Sequence, residues 1–284
     1  MDLQRPIEGE SVVTTDDDPS DPIRYRVWEP TSPPRATLAL LAGVMSNAAW
    51  FRGLAAPWRA RGFRVVGVER RGSGLNDGPH HGDARSAAEV LTDARRVIER
   101  ARDGERPVVV VGWCWGANVA VNLTLKMGSS VAGLALLSPG LFPSSSIIER
   151  MRALADEGDR HPEDAVVLDS PITEEMFTTG PALEGFILRD DARWKRFTPR
   201  FLEVSGRLSL AAQMRLRRVQ VPVFAALGRD DEATDNARTE AELARLPSGR
   251  VRTVSLPGGH GLQFDVPDEL AGHLDAWAVD ALGV

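Results

Sequence analysis

Residues 108–120 read VVVVGWCWGANVA. Four consecutive valines between Pro107 and Gly112 make a near-continuous β-branched run, the pattern of a central strand buried on both faces. Ala117 to Met127 reads as a helix, so Gly112, Trp113, Cys114, Trp115 and Gly116 fall at a strand-to-helix junction. Glycines on either side of the central residue remove side chains that would collide where strand and helix approach most closely. Cys114 is thereby held above the sheet at a helix N-terminus, where unpaired N–H groups and the positive end of the dipole favour an anion. A lone cysteine is more often a small buried hydrophobe. At this junction the pattern instead predicts a thiolate nucleophile.

Outward from this junction, short β-type runs alternate with helix-length amphipathic stretches. Strands are expected at 24–28, 36–42, 64–68, 107–112, 131–137, 222–227 and 251–256, and helices at 50–61, 85–102, 117–127, 236–246 and 270–282. This alternation predicts an α/β fold, a mostly parallel sheet flanked by helices. It breaks between about Leu141 and Arg218, where helix-like pieces at 146–157 and 200–217 occur without a convincing strand. The expected organisation is a core of residues 1–140 and 218–284 with a helical cap at 141–217.

A nucleophile needs a base. His80 and His81 sit in a Gly/Pro loop, His161 precedes Pro162, and His273 lies in the terminal amphipathic helix, all with ordinary structural readings. His260 follows the last strand in PGGHG, beyond the carboxyl edge where open α/β sheets place their ligands, and is the predicted base. The orienting acid is sought after the preceding strand, in GRDDEATDN at 228–236. Asp231 is preferred, with Asp235 the main rival and Asp230 third, the losers serving as helix caps. Nucleophile, acid and histidine then follow one another in the chain order of the α/β-hydrolase architecture. Oxyanion donors are expected from the backbone of Trp115 and, in the loop LLAGVMSN, of Val44 or Met45. Trp113 and Trp115 flank the nucleophile, where they can wall an acyl pocket or simply pack the helix.

Composition narrows the alternatives. With 284 residues the chain can bury a large core without staples. Forty acidic against 34 basic residues, a net charge of −6 and no basic run disfavour nucleic acid. One cysteine cannot form an internal disulfide, and the acidic start MDLQRPIEGESVVTTDDD is unlike a signal peptide, so a cytoplasmic location is expected. The longest apolar stretches, 38–45 and 131–137, are far short of the roughly 20 residues of a membrane span. There is no His/Cys cluster at metal-ligand spacing and no dinucleotide fingerprint, so neither metal nor organic cofactor is expected.

The chain resembles α/β-hydrolases of the monoacylglycerol-lipase and lysophospholipase type, which are grouped with serine aminopeptidases. The resemblance is carried by LALLAGVMSN, ERRGSGLND, GWCWGA, LLSPGLFP, GRDDEATDN and PGGHGLQFD. The insertion, with PITEEMFTTGP and FILRDDARWKRFTPRFLEVSGRL, looks like that group's cap. Two positions depart from the pattern: Cys114 stands where the relatives have serine, and Ala42-Gly43 where they have His-Gly. A thiol in this fold is also seen in dienelactone hydrolases and polyhydroxyalkanoate synthases. The resemblance implies an acyl hydrolase working on an ester or thioester through Cys114, His260 and Asp231. The alternative is an acyltransferase or cyclase passing the acyl group to an amine, alcohol or thiol, and a third reading is a binding protein that has kept the fold. The implied partner is a small acyl substrate, free or linked to a carrier or coenzyme A. Met45, Trp113, Met176 and Phe186 are the expected substrate contacts. Ile147, Ile148, Met151 and Leu154 share one helical face that can line a pocket or pack the cap onto the core.

Overall fold

A computed structural model of the chain describes residues 3–247 and 249–284, leaving Met1, Asp2 and Ser248 outside the description. Among the described residues the strands are β1 (Glu10–Thr14), β2 (Arg24–Trp28), β3 (Ala36–Leu41), β4 (Phe63–Val68), β5 (Val108–Cys114), β6 (Gly133–Pro139), β7 (Leu168–Asp169), β8 (Arg196–Phe197), β9 (Val223–Gly228) and β10 (Val251–Leu256). The helices are α1 (Arg52–Ala60), α2 (Ala87–Ala101), α3 (Gly116–Met127), α4 (Ser145–Gly158), α5 (Pro181–Gly185), α6 (Pro199–Arg215), α7 (Asn236–Leu243), α8 (Leu262–Asp265) and α9 (Pro267–Leu282). Eight strands form one sheet in the order β1-β2-β4-β3-β5-β6-β9-β10. From β4 to β10 all pairings are parallel, and β1 and β2 join antiparallel at one edge. This is the mostly parallel sheet that the alternation of elements predicts and the α/β-hydrolase arrangement that the resemblance implies.

The all-valine run makes β5 a central strand, buried along its length between β3 and β6. Parallel strands end on the same side, so the loops after β3, β5, β9 and β10 converge at one carboxyl edge. The register of β5 on β6 shifts between Trp113 and Cys114, which is where the chain leaves the sheet for α3. β1, absent from the sequence reading, is a half-exposed edge strand, ESVVT, with no apolar alternation to mark it. The two-residue pair β7 and β8 inside the insertion is equally silent, because two residues carry no periodicity.

The insertion returns over the carboxyl edge. α6 packs against α3, and Thr198 at its N-cap donates to Asp83 of the core at 2.6 Å. Arg200 pairs with the same carboxylate. Asp190, also in the insertion, accepts from Trp50 Nε1 at 2.6 Å and from Asn47 Nδ2 at 2.9 Å. These polar ties, with an aromatic cluster of Trp50, Phe177, Phe186 and Phe264, hold the insertion down on the sheet.

Candidate active site

Cys114 sits at the turn from β5 to α3 with φ +56°, one of two non-glycine residues with positive φ among the described residues. The glycines around it are required by space. A Cβ on Gly112 would lie 2.6 Å from Ala117 Cα, and one on Gly116 would lie 2.2 Å from the Leu41 carbonyl oxygen. A Cβ on Gly43 would come within 3.1 Å of Cys114 Cβ, so the loop after β3 rests directly on the nucleophile.

His260 and Asp231 come from the loops after β10 and β9. Nδ1 of His260 lies 2.8 Å from Asp231 Oδ2, with both side chains fully buried. The carboxylate is held by Ala233 N–H, Thr234 N–H and Thr234 Oγ1 at 2.9–3.2 Å, which leaves Nδ1 as the donor to Oδ2. Burial opposes charge on either partner, yet the attraction between them prevails. Asp231 is held below the usual carboxylate range, and the charges of Asp231 and Cys114 raise His260 well above 6.5. Nε2 of His260 makes no hydrogen bond of good geometry, although Cys114 is near enough to act on its charge. Such contacts often tighten only when substrate is bound.

Cys114 and His260 open onto a cavity of about 80 Å³ that they share with Val44, Trp115 and Asn118. The insertion closes it with Ile147 and Met151 from α4, Pro171 and Ile172, and Phe201, Leu202, Ser205 and Ser209 from α6. Cys114 is only 3% exposed, so the nucleophile lies at the base of a mostly apolar chamber. Asn118 Nδ2 donates to the Gly140 carbonyl at 3.1 Å, which fixes the orientation of its amide and leaves Oδ1 without a partner.

Residues 32–266 match the family model described as serine aminopeptidase, S33. The chain belongs to that family. No curated protein sequence matches it significantly. Among solved structures, a monoglyceride lipase from Saccharomyces cerevisiae is similar with a TM-score of 0.82 at 14% identity, over 97% of this chain and 96% of that one. The monoacylglycerol lipase of Paleococcus ferrophilus has a TM-score of 0.73 at 16% identity, over 88% and 99%. A thioesterase domain from the curacin biosynthetic pathway has a TM-score of 0.64 at 17% identity, over 94% and 98%. The S33 relationship and these likenesses make the chain an α/β-hydrolase.

Of the three aspartates weighed for the acid, Asp231 is the one that meets His260. Asp235 instead caps α7 by accepting from Arg238 N–H at 2.9 Å, and Asp230 is exposed. Val44 and Trp115 lie at the cavity, while Met45 is buried behind it. Trp113 and Met176 meet the site at His260: Trp113 Nε1 donates to the His260 carbonyl at 2.8 Å with its ring centroid 5.7 Å from the imidazole, and His260 N–H donates to the Met176 carbonyl at 3.1 Å. Neither side chain lines the cavity over Cys114. Phe186 packs on Trp50 and Phe264 beside a separate recess. The lining residues the sequence reading missed, Asn118, Ile172, Phe201, Leu202, Ser205 and Ser209, carried one usable signal. Phe201, Ser205 and Ser209 recur every four residues along one face of α6.

Proposed function

We propose that this S33 hydrolase cleaves an acyl ester or thioester by forming an acyl-enzyme on Cys114. The observation that carries this reading is the buried Asp231–His260 pair set beside a thiol on a strained strand-to-helix turn, all at one cavity. Nε2 of His260 takes the Sγ proton as Sγ attacks the acyl carbonyl carbon, the carbonyl π-bond opens onto oxygen, and the N–H groups of Val44 and Trp115 receive the oxyanion. Collapse expels the alcohol or thiol, which takes its proton from His260 Nε2. Water then attacks the thioester as His260 removes its proton, and release of the acid restores the thiol. Asp231 keeps Nε2 free for both steps by binding Nδ1–H. Ile147, Met151, Ile172 and Phe201 give the chamber an apolar wall, so an apolar acyl chain fits it. Residues 141–217 act as the cap that sets this choice.

Transfer to an amine, alcohol or thiol acceptor is the second reading. It is favoured by the near-complete burial of Cys114 and His260 under α4 and α6, which limits access of water to the thioester. Intact-protein mass spectrometry with a series of acyl thioesters and p-nitrophenyl esters tests both readings. A single acyl adduct that is absent from Cys114→Ala is expected. Full turnover by Cys114→Ala would overturn the mechanism, and products captured by added hydroxylamine in excess of free acid would favour transfer.

A further inference from the structure

Arg70 is the second residue after β4 and its side chain is partly buried, yet it does not hydrogen-bond to any carboxylate. Instead it holds the loop that rests on Cys114. Nη1 donates to the Gly43 carbonyl at 2.8 Å, and Nη2 donates to the carbonyls of Val44 and, at 3.4 Å, Ser46. The remaining carbonyl of this run, that of Met45, accepts from the backbone N–H of Trp194 in the insertion at 2.9 Å. The guanidinium lies 4.0 Å from the Trp194 ring centroid and 5.2 Å from that of Trp115, so cap, elbow and loop meet on one cation.

The geometry of the peptide unit gives this arrangement its consequence. None of these bonds is cis, and in a trans peptide the N–H points opposite to the carbonyl of the same unit. With the carbonyls of Gly43 and Val44 both drawn to Arg70, the N–H groups of Val44 and Met45 point together the other way. Adjacent N–H groups aimed alike make an anion-binding concavity. Val44 lines the chamber with Cys114, whereas Arg70 does not, so the loop stands between the cation and the reacting atoms. None of the described residues accepts from the N–H of Val44 or Met45.

We propose that Arg70 is a positioning residue for the oxyanion hole: by taking the carbonyls of Gly43, Val44 and Ser46 it turns the N–H groups of Val44 and Met45 toward the oxygen of an acyl group on Cys114. Burial pushes its guanidinium down to about 9, still well above neutrality, so the cation that holds the loop persists at working pH. Methionine keeps the bulk of Arg70 and loses every donor. Lysine keeps the charge but, as a point donor, cannot fork across two carbonyls.

This inference rests on the acyl-enzyme reading, and the test separates the two. Butanal is the probe of the oxyanion hole: Sγ adds to its carbonyl carbon, and the oxygen, bearing the electron pair of the broken π-bond, takes the place of the oxyanion before protonation by His260. Iodoacetamide alkylates the same sulfur by displacing iodide and builds no oxyanion. Arg70→Met is expected to lower kcat for p-nitrophenyl butanoate and to weaken inhibition by butanal, each by about 10²-fold, the scale of losing one oxyanion donor. KM and the alkylation rate of Cys114 should change by less than about threefold. Arg70→Lys should recover part of both losses. If Arg70→Met does not fold, Arg70→Lys carries the test, with about tenfold weaker butanal binding expected at unchanged alkylation. Unchanged butanal inhibition in a folded variant, or butanal binding and alkylation falling together, would overturn the assignment. Cys114→Ala run in parallel reports on the other reading: turnover without the thiol removes the nucleophile whatever Arg70 does.

Discussion

At φ +56° Cys114 occupies a backbone region that costs a residue with a Cβ on the order of 1–3 kcal/mol, a strain that such turns keep because the surrounding structure over-determines them. The strands and α3 fix it here, and Gly116 lets α3 approach the Leu41 carbonyl. Gly116→Ala should therefore cost about 3 kcal/mol, the upper range for overpacking, because the atom it meets is backbone. Thermal melting checks this. His260→Ala should remove nearly all turnover, and Asp231→Asn should lower it by about 10⁴-fold by favouring the wrong tautomer, as in the best-studied triad. Single-turnover kinetics with an activated ester measure both. The Asp231 variant also makes a titration prediction. In the native protein the charges of Asp231 and Cys114 outweigh burial, so His260 should titrate above 6.5; in Asp231→Asn only Cys114 is left to oppose burial and the midpoint should fall. Imidazole proton shifts followed by NMR decide the direction. By linkage, the stability due to the raised His260 is complete below about 6.5 and is lost as pH rises through its folded-state value.

At the scale of elements, the insertion turns α4 and α6 into the outer wall of the chamber. Ile147 and Met151, four residues apart, present one face to it, while Leu154 on the same side is buried in packing. The two roles considered for this stripe are thus divided along one helix. Ile147→Ala and Met151→Ala should raise kcat/KM for longer acyl chains relative to short ones, by about 1–3 kcal/mol for a methylene-sized mismatch. Phe186→Ala, at a different recess, should lower the melting temperature and leave that ratio alone. A chain-length series on the three variants checks this, and a uniform loss for Ile147→Ala and Met151→Ala would show that α4 only packs.

Across the whole molecule one apolar core runs from the sheet into residues 141–217, and Asp83 is a buried carboxylate that ties the two together. Burial raises its pKa, but Arg200 and the Thr198 hydroxyl lower it further, so Asp83 lies below the usual carboxylate range. Its contribution is present above the unfolded value near 3.9 and is lost as pH falls through the depressed one. Asp83→Asn should therefore be destabilised at neutral pH and lose less stability than the native protein on acidification below about 4. At pH 7 the loss should be about 3 kcal/mol, the low end for breaking a buried pair, because Arg200 keeps 23% of its side chain exposed. Urea titrations at pH 7 and pH 3.5 measure it. No helix among the described residues is long and apolar enough to cross a membrane.

The class of the fold was legible because it rests on local patterns: a β-branched run for β5, amphipathic stretches for the helices, and glycines that permit a sharp turn on either side of Cys114. The order of nucleophile, acid and histidine was legible for the same reason, since the loops that end parallel strands must emerge on one edge. Which carboxylate reaches the histidine was legible only as a preference for Asp231, because Asp230, Asp231 and Asp235 differ only in the path of one loop. That Asp235 caps α7 and Asp231 turns inward depends on hydrogen bonds closed in three dimensions. The lining of the chamber was hidden more deeply. Met176 and Trp113 support His260 without lining the chamber, while Ser205, Ser209 and Asn118 border it because α6 crosses α3. Arg70 looks like one more charge in ERRGSG until the fold brings the carbonyls of residues 43–46 to it. Periodicity marks which side of an element is buried, but only the packing of elements far apart in the chain decides what that side is buried against.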